Sequence, residues 1–369
     1  MNQENKREEI QSQALKIAIE NKKCGLGISM GVGKTRVAIQ HLQHNYNPLI
    51  EVLVVIPKNS IAQSWRDELD KMELKELANH ITFSTYLSLK KHDPNKYDIV
   101  YLDECHSLLP NHEIFLSQFN GKILGLTGTP PEDFDKSMMV KKYCPIKFNF
   151  TVDQAADSKI LNNYQIIVHE LELSKLKTLK KTKKNGGFWW TSEFMDYDYT
   201  TKRCEDAATP KQKKWAALMR MRSIMTYSTK EDYVKSLTST LKTKCIIFAN
   251  TQKQADKLCE YSYHTGNPKS KKNLELFTDG QINKLSCVLQ LSEGVNIPNL
   301  RQGIILHSYG NERKASQRIG RLLRLNPDDK AIVHILCYMN TIDEKWVTES
   351  LETFDQSKVL WKDYGVSIY

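Results

Sequence analysis

The sequence predicts two α/β domains in succession, each a parallel sheet covered by helices on both faces, with a basic insertion between them. Three observations predict it. Short apolar runs alternate with helical stretches in both halves, which is how strands buried on two faces read. A glycine-bearing loop, Ser29-Met30-Gly31-Val32-Gly33-Lys34-Thr35, stands where the first such run turns into a helix. Composition then changes abruptly near residue 174, where lysines crowd together and aromatics follow. At 369 residues the chain is long enough for two ordinary domains with real cores, and 40% apolar with 26% charged residues is a globular balance. The expected boundaries are 1–150, 151–230 for linker and insertion, and 231–369.

Residues Lys6 to Glu20 read as an amphipathic helix, with Ile10, Ala14, Ile17 and Ala18 on one side. Gln13 on it is either placed to read an adenine edge, since an amide offers donor and acceptor, or is a solvated helix glutamine. The apolar run Cys24 to Ile28 enters the glycine loop, and Arg36-Val37-Ala38-Ile39 leaves it as a helix. Glycines let the backbone curl until several N–H groups face one anion, and the helix adds its positive end. Gly31 and Gly33 would cradle phosphates, Lys34 would reach the β/γ-phosphates of a nucleotide, and Thr35 would hold Mg²⁺. Ile28 stands where the strict pattern has glycine, so the match is partial.

Four further apolar runs follow: Val52 to Ile56, Ile81 to Phe83, Ile99 to Leu102 and Ile123 to Leu126. In a parallel sheet function collects at the carboxyl ends of strands, and the third run ends in Asp103-Glu104-Cys105-His106. Two adjacent carboxylates repel, which makes them a poor structural choice there. For nucleotide hydrolysis they divide the work: Asp103 holds the metal and Glu104 orients and deprotonates water. Ser60 reads as a helix N-cap after Pro57, and Thr85, Thr127 and Thr129 add hydroxyls at strand ends, where they can grip phosphates without reading bases.

In this order the motifs resemble those of the superfamily 2 helicases and translocases of the DExH kind. Asp103-Glu104-Cys105-His106 resembles the signature box, Val54 to Trp65 is similar to motif Ia, Ser84-Thr85-Tyr86 to motif Ib and Leu126-Thr127-Gly128-Thr129-Pro130 to motif III. The wording resembles UvsW-type phage helicases and Swi/Snf-type or restriction-enzyme motors more than the RNA-directed DEAD-box proteins. In the second half, Lys244 to Phe248 resembles motif IV, with Asn250 at its carboxyl end. Val288 to Pro298 resembles motif V, with Asn296 where the family usually has aspartate. Gln317-Arg318-Ile319-Gly320-Arg321-Leu322-Leu323-Arg324 matches motif VI, and Arg321 and Arg324, three apart, project from one helix face. Ala331 to Tyr338 reads as a further strand, and Thr341 to Lys345 resembles the start of the closing helix.

Between the halves, Val152 to Tyr164 resembles the link by which the family leaves its first domain, and Ile166 to Leu171 reads as a strand. Lys175, Lys177, Lys180, Lys181, Lys183 and Lys184 come with no acidic residue among them. Asn185-Gly186-Gly187 signals a turn and Phe188-Trp189-Trp190 follows. Cations beside exposed rings suit a nucleic-acid groove. The turn would equally present the rings as a wedge at a strand junction, or the segment is a basic loop folded back on a domain. Further on, Lys211 to Met225 reads as a helix whose Trp215, Leu218, Met219, Met221 and Met225 form a packing side.

The resemblance implies two RecA-like domains that hydrolyse ATP with Mg²⁺ between them. It implies Glu104, Gln317, Arg321 and Arg324 as catalytic and Gly294 with the glycine loop as nucleotide-binding. Thr35 and Asp103 would hold metal, and His106, Thr127 and Thr129 would couple the sites. Pro57, Ser60, Thr85, Asn250, Ser292, Lys183, Lys184, Trp189 and Trp190 would face nucleic acid. The implied track is forked, branched or single-stranded DNA rather than RNA, and the implied activity a DNA helicase. A duplex translocase and an ATP-switched clamp are the alternatives. A formal net charge of +10 and a pI near 9.0 agree with a polyanionic partner, though surface lysines alone have the same signature. No nuclease constellation is found. The expected protein is a compact monomeric motor like the phage-encoded ones, with an accessory partner left open. No apolar run approaches the roughly 18 residues of a membrane span, and the first residues are no signal peptide, so the expected place is the cytoplasm. The eight cysteines hold no C-x-x-C pair and read as reduced core residues rather than a zinc or disulfide framework.

Overall fold

The computed structural model describes residues 3–29, 31–59, 61–131, 133–182, 185–288, 297–308, 330–352 and 354–364. The chain up to Asn163 forms one compact unit, and the described residues from Tyr164 on form a second. The first is built on β1 (Lys23–Ile28), β2 (Val52–Ile56), β3 (Ile81–Thr85), β4 (Ile99–Asp103), β5 (Lys122–Thr127) and β6 (Ile146–Phe150). All six strands are parallel, in the order β3-β2-β4-β5-β1-β6. The five expected strands are therefore present, each longer or shifted by a residue or two at most, and β6 is added at the edge beside β1. Val52 to Ile56 is buried throughout, as a central strand covered on both faces must be. Helices α1 (Gln3–Glu20) and α2 (Lys34–His44) pack together, with Ala14 and Ala18 of α1 buried. On the other side of the sheet, Leu53, Val55, Val100 and Leu102 meet Phe115, Phe119 and Tyr143.

The second unit opens with β7 (Tyr164–Leu171), followed by the antiparallel hairpin β8 (Leu179–Thr182) and β9 (Phe188–Thr191). Its sheet is completed by β10 (Cys245–Phe248), β11 (Ser262–Tyr263), β12 (Lys284–Cys287), β13 (Gln302–Ile305), β14 (Ala331–Tyr338) and β15 (Val359–Tyr364). These seven strands are again all parallel, in the order β11-β12-β10-β13-β14-β7-β15. β7 lies between β14 and β15, so the stretch 151–230 is not all linker and insertion: the second unit starts at Tyr164 rather than at residue 231. The strand is legible locally, but its partners lie more than 160 residues away and no local pattern names them.

The insertion proper is the β8–β9 hairpin with the helices Glu193–Glu205 and Pro210–Ile224, which pack on each other. The second helix departs from expectation: it buries Ala216, Ile224 and the following Met225, while Trp215 and Leu218 are exposed. Its apolar side is thus only partly a packing side. All eight cysteines are free, and all but Cys259 are fully buried. Among the described residues no helix is long and apolar enough to cross a membrane, and no cluster of three or more His, Cys, Asp or Glu could hold a metal ion.

Candidate functional site

Because the first sheet is wholly parallel, the carboxyl ends of β1, β4 and β5 share one edge. The glycine loop lies at the end of β1, with Gly31 at φ 87° and Gly33 at φ 110°, left-handed conformations that a side chain resists. Gly33 immediately precedes α2, whose first residues are Lys34 and Thr35. A Cβ on Gly33 would also fall 2.4 Å from Gln11 Nε2. Gln11, buried on α1, donates to the Val32 carbonyl at 2.7 Å and so holds the loop from behind. Gln13 is exposed and lies 3.5 Å from Glu9 one turn back. The glutamine of this helix that touches the loop is therefore Gln11, which the sequence reading did not single out. Two residues along a helix is about 200° of rotation, so the two side chains leave opposite faces. The burial of Ala14, three residues on from Gln11, was the available signal.

β5 separates β1 from β4, yet Lys34 and Glu104 meet across it, Nζ to Oε1 at 2.9 Å. Glu104 sits at φ 52°, ψ 54°, a left-handed conformation unusual for a carboxylate residue, which turns its side chain along the sheet edge. His106 Nδ1 lies 3.3 Å from the other Glu104 oxygen and 2.9 Å from Thr127 Oγ1. The Thr127 hydroxyl donates to the Thr129 carbonyl at 2.7 Å and accepts the Thr129 N–H at 3.2 Å. With its proton committed there, Thr127 accepts from His106, which places a proton on Nδ1. A continuous chain of polar contacts thus runs Lys34, Glu104, His106, Thr127, Thr129. All five were expected site residues, and the structure joins them.

Asp103, at the end of β4, is buried and accepts from the indole N–H of Trp65 at 2.9 Å, while the Tyr86 hydroxyl donates to its main-chain carbonyl at 2.8 Å. Trp65, on the Ile61–Lys71 helix, fixes the carboxylate as an outer-shell partner fixes a metal ligand. Burial, and then the neighbouring Glu104 carboxylate, push the Asp103 carboxyl up to about 6. Burial pushes Glu104 the same way, but the Lys34 ammonium, His106 and the Gly128 N–H outweigh it and hold Glu104 below the usual carboxylate range. The two adjacent acids are thereby shifted in opposite directions. Ser29, fully buried at the start of the loop, has an Oγ with no partner. That orphaned hydroxyl, the curled glycines and the Asp103 carboxylate fit a phosphate and a hard divalent cation.

Of the residues expected to face nucleic acid, Pro57 and Thr85 follow or end β2 and β3 on the same edge of the first sheet. Asn250 follows β10 on the corresponding edge of the second, where its N–H donates to Gln254 and its side-chain amide turns inward to Met225. Trp189 and Trp190 are exposed on β9. Ser60, Lys183, Lys184, Ser292, Gly294, Gln317, Arg321 and Arg324 lie outside the described residues.

The second unit carries a polar centre that sequence reasoning missed. Lys230, without solvent exposure, donates to the Leu306 and Leu336 carbonyls at 2.7 and 2.8 Å and to Asp343 at 2.5 Å. It ties the Thr229–Thr240 helix and the Ile342–Leu351 helix to the ends of β13 and β14. A lysine among polar residues gives no hint of such burial.

Two family models match in succession: Type III restriction enzyme, res subunit, over residues 3–132, and Helicase conserved C-terminal domain over residues 229–326. A DNA 3'-5' translocase, XPB2, of Sulfurisphaera tokodaii is 23% identical over 361 residues, covering 88% of this chain and 80% of that one. A protein of African swine fever virus named as an ATP-dependent RNA helicase, QP509L, is 31% identical over 144 residues, 31% of this chain and 27% of that one. Among solved structures, the ATP-dependent Type ISP restriction-modification enzyme LlaBIII bound to DNA superposes with a TM-score of 0.64 at 15% identity. That likeness covers 98% of this chain but 31% of the larger enzyme. Two tandem parallel sheets flanked by helices, and the two family matches in that order, make this chain a member of the superfamily 2 helicases and translocases.

Proposed function

We propose that the protein is an ATP-driven DNA motor that hydrolyses ATP at the edge formed by β1, β4 and β5 and unwinds forked or branched DNA. The observation that carries this reading is the Lys34–Glu104 contact within a chain that runs on to His106, Thr127 and Thr129. Lys34 neutralises Glu104. An incoming polyphosphate competes for the lysine, and its release leaves Glu104 a free carboxylate able to take a proton from water. Glu104 is already held in its charged form, as a base must be. Mg²⁺, held by Thr35 and Asp103, would neutralise charge on the phosphates. His106 reports the state of Glu104 to Thr127 and Thr129 at the end of β5. By the motif resemblance, Arg321 and Arg324 would stabilise charge in phosphoryl transfer, with Gln317 and Gly294 as further nucleotide residues; arginines in this role raise such rates by about 10³ to 10⁵. Pro57, Ser60, Thr85, Asn250 and Ser292 hold the nucleic-acid backbone.

Steady-state ATP hydrolysis tests the reading, measured with no polymer, single-stranded DNA, duplex DNA, forked DNA and RNA at one low salt concentration. Strong stimulation by DNA, with strand separation on the fork, is the expected result. Stimulation by duplex without strand separation would instead indicate a translocase, the reading favoured by the name of the Sulfurisphaera relative. RNA-only stimulation would reassign the track. Hydrolysis unaffected by any polymer would overturn the motor reading, and a Glu104→Gln variant indistinguishable from wild type would leave only an ATP-switched clamp.

A further inference from the structure

The insertion from Ser174 to Lys230 carries fourteen lysines and arginines against five carboxylates, in a chain whose formal net charge is +10. Its fold inverts the usual amphipathic order. On the Glu193–Glu205 helix the acids Glu193 and Asp196 are buried, while Phe194, Met195 and Tyr199 are exposed. The buried acids act as bolts. Glu193 accepts from the Thr229 N–H at 3.1 Å and the Thr229 hydroxyl at 2.8 Å. Asp196 accepts from Lys181 of β8 at 2.9 Å and from the Tyr227 hydroxyl at 3.0 Å. Thr229 immediately precedes Lys230, so the hairpin and its helix are fastened to the polar centre of the second sheet. The hairpin is thus tied into the second unit.

What the insertion presents outward is rings paired with cations. Strand alternation and the pairing Lys181↔Trp189, Lys180↔Trp190 put Lys181 on the inner face and Lys180, Phe188 and Trp190 on the other. Phe188 is 54% and Trp190 52% exposed, their ring centres 6.4 Å apart, and the Lys180 ammonium lies 4.1 Å from the Phe188 ring centre. Arg203 lies similarly over Trp215 at 4.9 Å. Exposed rings without cations would fit an apolar protein surface, and cations without rings would fit the phosphates of any duplex. Together they match one polymer, because duplex bases are stacked on each other and only an unpaired strand has base faces to offer.

Resting on the motor reading above, we infer that the outer face of the β8–β9 hairpin is a stacking platform for the unpaired strand, with Phe188 and Trp190 taking bases and Lys180 the backbone. Asp196 and Glu193 are positioning residues that hold the platform to the second unit.

The test is equilibrium binding of the full-length chain to a fluorescently labelled oligodeoxythymidylate and to a duplex of equal length, by anisotropy at one low salt concentration. Polymer-free ATP hydrolysis is measured alongside. Phe188→Ala/Trp190→Ala should weaken single-strand binding about tenfold or more, change duplex binding less than about twofold, and leave polymer-free hydrolysis at the wild-type rate. Trp190→Phe keeps a ring and should retain most of the affinity. An unchanged single-strand affinity in the double variant overturns the platform, as does an equal loss on both polymers. Polymer-free hydrolysis at the wild-type rate shows that the double variant is folded; where wild type itself does not hydrolyse ATP, the motor reading fails while the binding comparison still judges the platform.

Discussion

At the scale of single residues, two neighbouring carboxyls are shifted in opposite directions, Asp103 up and Glu104 down. Glu104→Gln keeps the shape of the side chain but removes its negative charge, so it cannot act as a base. Hydrolysis should fall by about 10² to 10⁴, with nucleotide affinity retained or raised, and single-turnover hydrolysis beside nucleotide binding checks both. Gly33→Ala meets two obstacles, a φ of 110° and the Gln11 amide 2.4 Å from the new carbon. The left-handed conformation alone costs about 1–2 kcal/mol, and relief would displace Gln11 from the Val32 carbonyl. Weaker nucleotide binding and a lower thermal midpoint should therefore appear together. Gln11→Ala removes the obstacle and the support at once: combined with Gly33→Ala it should cost less than the two single changes added. Additive losses would show that Gln11 does not brace the loop.

At the scale of elements, the buried Lys230–Asp343 pair decides whether two helices stay on the second sheet. Removing one partner strands a charge without water. Lys230→Met should therefore cost about 3–5 kcal/mol, whereas Lys230→Met/Asp343→Leu, which removes both charges, should recover much of it. Chemical denaturation of the three proteins measures this, and a double variant as unstable as the single would mean that packing rather than charge holds the helices. The same element scale explains how much was legible. The strands of the first sheet and the Asp103-Glu104 strand end could be read because apolar runs bounded by polar residues are local patterns. The bracing role of Gln11 was missed because a helix face is resolved only when the neighbouring turn is read with it. Lys230 was invisible because its partners, Leu306, Leu336 and Asp343, are assembled from three distant segments.

At the scale of the whole molecule, each unit buries neutral histidines, and acid should unfold both. Burial lowers His41 to about 4 in the first unit, where its Nδ1 lies 2.8 Å from the Tyr101 hydroxyl. In the second, burial lowers His169 to about 3 and His334 to about 4, and the two rings meet at 2.8 Å. An unfolded histidine takes its proton near 6.5 and these folded ones do not, so the unfolded chain binds more protons between pH 6.5 and about 4. Their contribution is complete above pH 6.5 and is lost as pH falls through that window, by about 1.4 kcal/mol per pH unit and group. Asp103 works the other way, since its raised value makes the folded state the better proton acceptor between the ordinary carboxylate range and about 6. Burial also lowers His92 and His112, and also raises Glu170 and Asp343; the five lowered histidines outweigh the three raised carboxyls, so the thermal midpoint should drop between pH 6.5 and 4.5. His41→Gln should flatten that dependence, and an unchanged slope would remove His41 from the account.

The sequence by itself determined the α/β class, the glycine loop that follows the first strand, the acidic strand end, and the presence of a basic, ring-bearing turn between two halves. Each is a short-range pattern whose chemistry survives without neighbours. Only the tertiary structure decided that Lys34 reaches Glu104 across an intervening strand and that β7 belongs to the second sheet. It alone decided that the insertion buries Glu193 and Asp196 while Phe188 and Trp190 stay exposed. Those outcomes depend on which distant segments share a sheet edge and which face of each helix is buried. Contacts over such separations are chosen by the packing of the whole unit, where no local pattern records them.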